Sequence, residues 1–145
     1  MSQGRILLVE DNLDDAEIAR LYLGSFEIVH AKCVKEALGL LEDGGDFKIV
    51  LLDLGLPDGK GLDTVEMLCD VAGAPVVVMS GMSGEETVVG AIERGAVDYL
   101  SKDGIKERWE PRVIHAIADP EPDPEEAVIR ASLDNMESTL RLMEG

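Results

Sequence analysis

Aromatic residues are scarce in this sequence: there are two Phe, two Tyr and one Trp among 145 residues. Because 46% of the residues are nonetheless hydrophobic, we expect a buried core built mainly from aliphatic side chains. The length is typical of one domain with a short appendage.

Basic residues are also few. Lys and Arg total 13 against 30 Asp and Glu, which gives a formal net charge of −17. A surface this acidic repels the phosphates of nucleic acids and anionic lipid headgroups. We therefore expect no direct binding to nucleic acid or to a membrane.

Cysteine is nearly absent, and so are long apolar runs. Cys33 and Cys69 stand alone, with no CxxC motif, so neither a disulfide framework nor a thiolate metal site is expected. No apolar run reaches transmembrane length, and no basic-then-apolar signal peptide begins the chain. These absences predict a cytoplasmic protein with free thiols.

The most informative stretch lies between Lys48 and Pro57. Four consecutive aliphatic residues, 49–52, predict a strand that is buried on both faces of a parallel sheet. Asp53 follows directly, and in open α/β sheets the functional crevice lies outside the carboxyl ends of the strands. Taken alone, Asp53 is either a turn cap or a functional carboxylate.

Aliphatic runs alternate with segments of helical spacing five times within residues 1–118. This alternation predicts a doubly wound α/β domain with a parallel sheet. Ser83 and Glu86 form a capping-box pattern at the start of the fourth helix, and Pro111 is expected to begin the fifth. The predicted strands are 5–9, 26–31, 49–52, 75–79 and 96–100, and the predicted helices are 13–23, 34–41, 62–73, 84–94 and a last one from 111.

The C-terminal segment differs from this domain. Residues 119–124 alternate Pro with acids and predict a stiff linker. Residues 125–145 then predict an amphipathic helix whose apolar stripe is spaced 4, 3, 4, 3, as in a coiled coil. Such a helix either docks on its own domain, pairs with a second chain, or leads into a further domain. The apolar stripe is Ile129, Leu133, Met136, Leu140 and Met143.

Groups that carry chemistry follow four of the five predicted strands. Glu10 and Asp11 follow the first, Asp53 the third, Ser80 the fourth and Lys102 the fifth. Parallel strands bring these groups to one edge of the sheet, where crowded carboxylates favour a hard divalent cation such as Mg²⁺. A carboxylate in that setting can accept a phosphoryl group, with an ammonium and a hydroxyl to hold the phosphoryl oxygens.

This set of residues resembles the receiver domain of response regulators in two-component, or phosphorelay, signalling. The resemblance covers residues 4–118 and implies a flavodoxin-like sheet with strand order 2-1-3-4-5. Each motif is weak alone, whereas all of them in order at successive strand ends are specific. The residues that carry it are Glu10-Asp11, Asp53 with Pro57, Ser80-Gly81, Tyr99 and Lys102.

The resemblance implies a Mg²⁺-dependent phosphoryl transfer from a histidine kinase or phosphotransfer protein to Asp53. Asp11, Asp53 and the backbone carbonyl of Gly55 are the implied Mg²⁺ ligands, with Glu10 acting mainly through a bound water. The chain would catalyse only its own phosphorylation and dephosphorylation, so it is not expected to be an enzyme in the ordinary sense.

The resemblance also implies how the signal leaves the site. Ser80 and Lys102 would contact the phosphoryl group, and the rotamer of Tyr99 would follow Ser80. The face formed by residues 84–118 would meet a downstream protein, and residues 125–145 would allow a homodimer.

Three positions depart from the family pattern. Asp103 follows Lys102 where the family usually has a cis proline. Gly55 and Met82 stand where the family tunes the phosphate lifetime, and neither can orient a water by hydrogen bonding. This predicts slow to moderate autodephosphorylation.

Several alternatives stay open at this point. The chain is either a stand-alone receiver or the regulatory part of a larger protein with an output domain. A flavin- or nucleotide-binding domain needs a phosphate-cradling loop after the first strand, where Glu10-Asp11-Asn12 repels phosphate. An Asp-dependent phosphatase usually has a second Asp at the position of Gly55, and a pseudo-receiver would not need the acids and Lys102. Asp14 and Asp15 are expected only to favour the start of the first helix.

Overall fold

Each predicted aliphatic run forms a strand, and each segment of helical spacing forms a helix. The computed structural model describes residues 3–81 and 85–144. A short 3-10 helix, Lys106–Arg108, precedes the fifth α-helix. The elements in order are β1 (Arg5–Val9), α1 (Leu13–Tyr22), β2 (Glu27–Ala31), α2 (Val34–Glu42), β3 (Ile49–Asp53), α3 (Leu62–Val71), β4 (Val76–Ser80), α4 (Glu85–Glu93), β5 (Asp98–Ser101), α5 (Trp109–Ala118) and α6 (Pro124–Glu144).

The five strands form one parallel sheet in the order β2-β1-β3-β4-β5. This confirms the predicted doubly wound sheet and its strand order. Val9 pairs with Leu52, Asp53 with Met79, and Ser80 with Ser101. The strand ends are therefore aligned, and the groups that follow them lie along one edge of the sheet.

Helices cover both faces of the sheet, which explains why the central strands β3 and β4 are apolar up to their last residues. Side chains alternate along β3: Val50 and Leu52 join one hydrophobic cluster, whereas Ile49 and Leu51 join the other. All five residues of β3 are buried. Nearly all of the core is aliphatic, as the composition predicts, with Tyr99 in the first cluster and Trp109 in the second.

Two element starts differ from the prediction by two residues. Helix α5 begins at Trp109, two residues before Pro111. Because the first four N–H groups of a helix have no intrahelical acceptor, a proline is tolerated anywhere in the first turn. Strand β5 begins at Asp98 rather than Ala96, because the amide of Ala96 still bonds to the Ala91 carbonyl in the turn that ends α4. Ser83, the predicted cap of α4, lies outside the described residues.

Helix α6 packs on the domain, but not through the apolar stripe. It contacts α4 and β5, and Ala127 is buried within the first hydrophobic cluster. The five stripe residues are between 47% and 77% exposed. The stripe is therefore not the surface through which α6 docks, and it remains open to solvent.

Candidate functional site

The first acidic pair lies at the junction of β1 and α1. Glu10 directly follows β1, and its amide bonds to the Ala31 carbonyl of the neighbouring strand. Asn12 ends the junction as the N-cap of α1, because its side-chain oxygen accepts a hydrogen bond from the Asp15 amide at 3.0 Å. This turn places Glu10 and Asp11 at the carboxyl edge of the sheet, beside β3.

Three carboxylates meet at this edge. Glu10, Asp11 and Asp53 each bring one oxygen to within 4.8 Å of the others. Glu10 is fully buried, Asp53 is nearly so, and Asp11 is exposed. The set consists of hard oxygen donors with excess negative charge and one solvent-facing side, so it fits Mg²⁺, which keeps several of its waters.

Lys102 neutralises part of this charge. Its Nζ lies 2.5 Å from Oε1 of Glu10, 2.9 Å from Oδ2 of Asp15 and 3.4 Å from Oδ1 of Asp53. Burial alone lowers the pKa of Lys102, but the hydrogen bonds to Glu10 and Asp15 and the charge of Asp53 more than offset this, so its pKa is raised. Lys102 is therefore a fixed cation, shared among three carboxylates.

The pKa of Glu10 is raised from 4.5 to about 7. Burial is the largest cause, and a hydrogen bond with the Asp53 carboxyl adds to it, while Lys102 acts in the opposite direction. The neutral form of Glu10 is favoured because a second buried negative charge beside Asp53 is costly. A divalent cation reverses this preference, since it stabilises both carboxylates.

The loop that carries Lys102 is held in place by backbone contacts. The Lys102 amide bonds to the Ser80 carbonyl at 3.0 Å, so β5 and β4 stay in register up to the site. Lys106 Nζ donates to the Lys102 carbonyl at 2.9 Å, and the Asp103 amide donates to Oγ of Ser101 at 3.2 Å. The Lys102–Asp103 peptide bond is trans, as are the other peptide bonds in the described ranges.

Ser80 and Tyr99 lie behind this edge. Ser80 is the last residue of β4, and Tyr99 is the second residue of β5; both are buried. The pKa of Tyr99 is raised by burial, the Ser80 side chain opposes the shift, and the charge of Asp53 adds to it. The pKa of the Tyr99 hydroxyl therefore depends on both the Ser80 side chain and the charge of Asp53. Gly55 lies on the other side, where its amide donates to Oδ1 of Asp53 at 3.2 Å.

Two residues of the site were not identified from the sequence. Asp15, interpreted only as a helix-start acid, pairs with Lys102. Asp15 lies in the first turn of α1, directly after the strand end that carries Glu10 and Asp11, and this position beside the sheet edge is the signal that could have identified it. His30 lies on β2, and its Nε2 is 2.6 Å from the Glu10 carbonyl oxygen.

The family is decided by comparison with known proteins. Residues 6–113 match the model of the response regulator receiver domain. This chain belongs to the response regulator receiver family. Receiver domains of this family bind Mg²⁺ at an acidic pocket, and Glu10, Asp11 and Asp53 form an acidic cluster in this chain. They are signalling proteins rather than metabolic enzymes.

Curated relatives of this receiver are longer proteins. It is 33% identical over 132 residues to the response regulator protein PilR of Pseudomonas aeruginosa, covering 89% of this chain and 29% of PilR. It is 36% identical over 118 residues to the cell cycle response regulator CtrA of Brucella ovis, covering 78% of this chain and 49% of CtrA. The chain thus spans less than half the length of these relatives.

Solved structures share the fold. One is a CheY-like response regulator receiver domain protein from Methanospirillum hungatei, with a TM-score of 0.72 and 23% identity over 81% of this chain and 96% of that one. Another is the signal receiver domain of a putative Luxo repressor protein from Vibrio parahaemolyticus, with a TM-score of 0.70 and 25% identity over 91% and 95%. Among the described residues, no helix has the length and apolar character needed to cross a membrane.

Proposed function

We propose that Asp53 accepts a phosphoryl group from the phosphohistidine of a sensor histidine kinase or a phosphotransfer protein. The observation that supports this most is that Asp53 belongs to the acidic cluster while its Oδ1 also lies 3.4 Å from the ammonium of Lys102. An Asp53 carboxylate oxygen bonds to phosphorus as the P–N bond of phosphohistidine breaks, and the electron pair returns to the imidazole.

The neighbouring residues have complementary roles in this proposal. Glu10, Asp11, Asp53 and the Gly55 carbonyl hold Mg²⁺, which supplies positive charge to the phosphoryl oxygens. Lys102 moves from its present carboxylate partners toward the new phosphoryl group, and Ser80 donates a hydrogen bond to it.

The signal then passes through Tyr99 to the surface. Tyr99 is buried beside Ser80, so a displaced Ser80 hydroxyl changes the space that the ring occupies. The face formed by residues 84–118 relays this change to a downstream protein by direct contact. Addition of a dianionic group at Asp53 biases a two-state equilibrium, as in other phosphorylation switches.

The decisive experiment measures uptake of beryllium fluoride or of a phosphoryl group from a small phosphodonor. Wild type should take up one equivalent with Mg²⁺ and none with EDTA, and Asp53→Asn should take up none. Asp63→Asn is a matched control, because Asp63 is an exposed acid outside the cluster. Trp109 is the single Trp and lines one cavity together with Asp15 and Lys102, so we expect its fluorescence to respond to the reaction. No uptake by wild type contradicts the proposal.

A second measurement concerns the phosphate lifetime. Gly55 has no side chain to orient a water against the phosphoryl group, and Met82, which lies outside the described residues, has no hydrogen-bonding side chain. We expect slow to moderate autodephosphorylation. Loss of radiolabelled phosphate from the protein within a few seconds at neutral pH contradicts this expectation.

Two arrangements of the output remain to be distinguished. In the first arrangement, two chains form a homodimer through the apolar stripe, which is exposed and has coiled-coil spacing. The other is a receiver that regulates a larger protein, as the lengths of its relatives suggest. Light scattering after size exclusion tests the first: Leu133→Glu should convert a dimer to a monomer, whereas Ser132→Glu, the neighbouring exposed site, should not. A wild-type monomer at all concentrations excludes the homodimer.

A further inference from the structure

Helix α6 lies against α4 and β5, and Arg112 of α5 borders this contact through Asp98; we call this region the α4-β5-α5 surface. Ala127, in its first turn, is 2% exposed and belongs to the same hydrophobic cluster as Val88, Ala91 and Tyr99. Val128 packs against the edge of that cluster. The contact is therefore a continuation of the domain core and reaches the residue that the proposed function treats as the switch.

A buried ionic contact fastens the same helix. Asp98, the first residue of β5, is 3% exposed. Its Oδ1 accepts a hydrogen bond from Nη2 of Arg112 on α5 at 3.0 Å, and its Oδ2 accepts one from Nη1 of Arg130 on α6 at 3.0 Å. One buried carboxylate thus connects α5, β5 and α6. Without Arg130, only Arg112 would offset the negative charge of Asp98.

The same carboxylate is tied to the backbone of Tyr99. The Tyr99 amide donates to Oδ1 of Asp98 at 2.8 Å, and Arg112 Nη2 also donates to the Tyr99 carbonyl at 2.8 Å. A movement of the Tyr99 ring changes the packing of the cluster that holds Ala127. A backbone shift that accompanies it changes the position of the Asp98 carboxylate, and with it the geometry available to Arg130. This gives a physical connection from the phosphorylation site to α6.

We propose that α6 is an intramolecular ligand of the α4-β5-α5 surface, which a protein partner must displace, and that phosphorylation at Asp53 loosens it. The second part rests on the proposed function. The surface accepts a helix that presents a small side chain at the position of Ala127 and a cation toward Asp98. A partner that uses this surface must supply the same two groups, so an amphipathic helix with a small residue followed by Arg or Lys fits it.

The docking itself is tested without phosphorylation. Hydrogen exchange, read by mass spectrometry on the full chain, should be slow across 124–133 in wild type. Ala127→Glu places an unpaired charge against the apolar cluster and should accelerate exchange there and in β5 by about tenfold or more. Ser132→Glu makes the same change at an exposed position of α6 and should leave exchange as in wild type. Arg130→Met, which removes only the ionic contact, should give an intermediate acceleration.

Exchange in β1 and β3 shows whether the domain stays folded. If these strands keep wild-type protection while Ala127→Glu and Arg130→Met leave 124–133 unchanged, α6 is not held through these contacts and the proposal fails. It also fails if wild-type 124–133 exchanges as fast as in Ala127→Glu.

The regulated release is tested by adding beryllium fluoride and Mg²⁺ to wild type. Exchange across 124–133 should rise about fivefold or more, and Asp53→Asn should show no change. If Trp109 fluorescence reports uptake but 124–133 stays protected, release is overturned while the receiver function stands. If there is no uptake, the proposed function fails, and docking of α6 is still decided by the Ala127 and Ser132 variants.

Discussion

Glu10 offers a sharp test of the electrostatics of the site. It is fully buried beside Asp53, and its pKa is raised to about 7. In the unfolded chain the same carboxyl titrates near 4.5. Replacement by Gln keeps the shape of the side chain and removes the ionisable carboxyl group, so Glu10→Gln isolates the cost of ionising this buried residue.

The sign follows from proton binding in the two states. Between pH 4.5 and pH 7 the folded protein keeps a proton on Glu10 that the unfolded chain has released, so the free energy of unfolding falls as pH rises through this window. At about 1.4 kcal/mol per pH unit, the interval corresponds to about 3 kcal/mol. The cost is absent below pH 4.5 and complete above pH 7.

Urea denaturation in EDTA, followed by the fluorescence of Trp109, measures this effect. Between pH 5 and pH 8, the free energy of unfolding of Glu10→Gln should increase by up to about 3 kcal/mol relative to that of wild type. Loss of the pairing with Lys102 adds a constant difference at all pH values, which does not affect this change. Glu17→Gln is the matched control, since Glu17 is an exposed acid on α1. Parallel stability curves for Glu10→Gln and wild type would refute the claim that ionised Glu10 is penalised.

Three further predictions concern the same cluster. Asp15→Asn removes one carboxylate that competes for Lys102, so it should tighten beryllium fluoride binding about fivefold, an effect of about 1 kcal/mol for a partly exposed ion pair. Asp14→Asn changes the exposed neighbouring acid and should bind as wild type does. Equal affinities for both variants would contradict the claim that Asp15 competes for Lys102. Lys102→Gln leaves the negative charge of the carboxylates uncompensated and should lower the free energy of unfolding in EDTA by about 3 kcal/mol. A decrease smaller than the error of the urea titration would show that Lys102 is not needed to offset this charge. Mg²⁺ at ten times its dissociation constant should raise the free energy of unfolding of wild type by about 1.4 kcal/mol. Calorimetry should show no such increase for Asp11→Asn. An increase that is retained in this variant would exclude Asp11 as a ligand.

The fold was predictable because each strand carries its own signal. A strand covered by helices on both sides is apolar along most of its length, and β3 and β4 are apolar up to their last residues, Asp53 and Ser80. The order of the strands needed the resemblance, because local apolar patterns carry no information about which strands become neighbours. Helix starts were less certain: Pro111 fits the first, second or third helical position equally well, and the packing of Trp109 in the core favours the third.

The positions of three residues of the cluster were predictable, but their pairing, and the part that Asp15 takes in it, were not. Strand ends identify Glu10, Asp53 and Lys102, because the topology brings them to one edge. Which carboxylate is nearest to Lys102 depends on side-chain geometry that spacing does not determine. Asp15 contributes its carboxylate from the helix that follows β1, and at 2.9 Å it is closer to Lys102 than Asp53 is, at 3.4 Å.

Helix α6 shows how a strong pattern can conceal a weaker and more informative one. The apolar stripe draws attention to coiled-coil pairing, whereas α6 docks through Ala127 and Arg130, a small residue and a cation that no hydrophobic periodicity reports. The signal lay instead in β5, where the predicted strand 96–100 contains Asp98. A carboxylate in a buried strand requires a cationic partner, and of the candidate cations on the following helices the structure selects Arg112 and Arg130. Asp98 also accepts the amide hydrogen of Tyr99, so the residue that makes β5 unusual is the one through which we propose that the phosphorylation site is connected to α6.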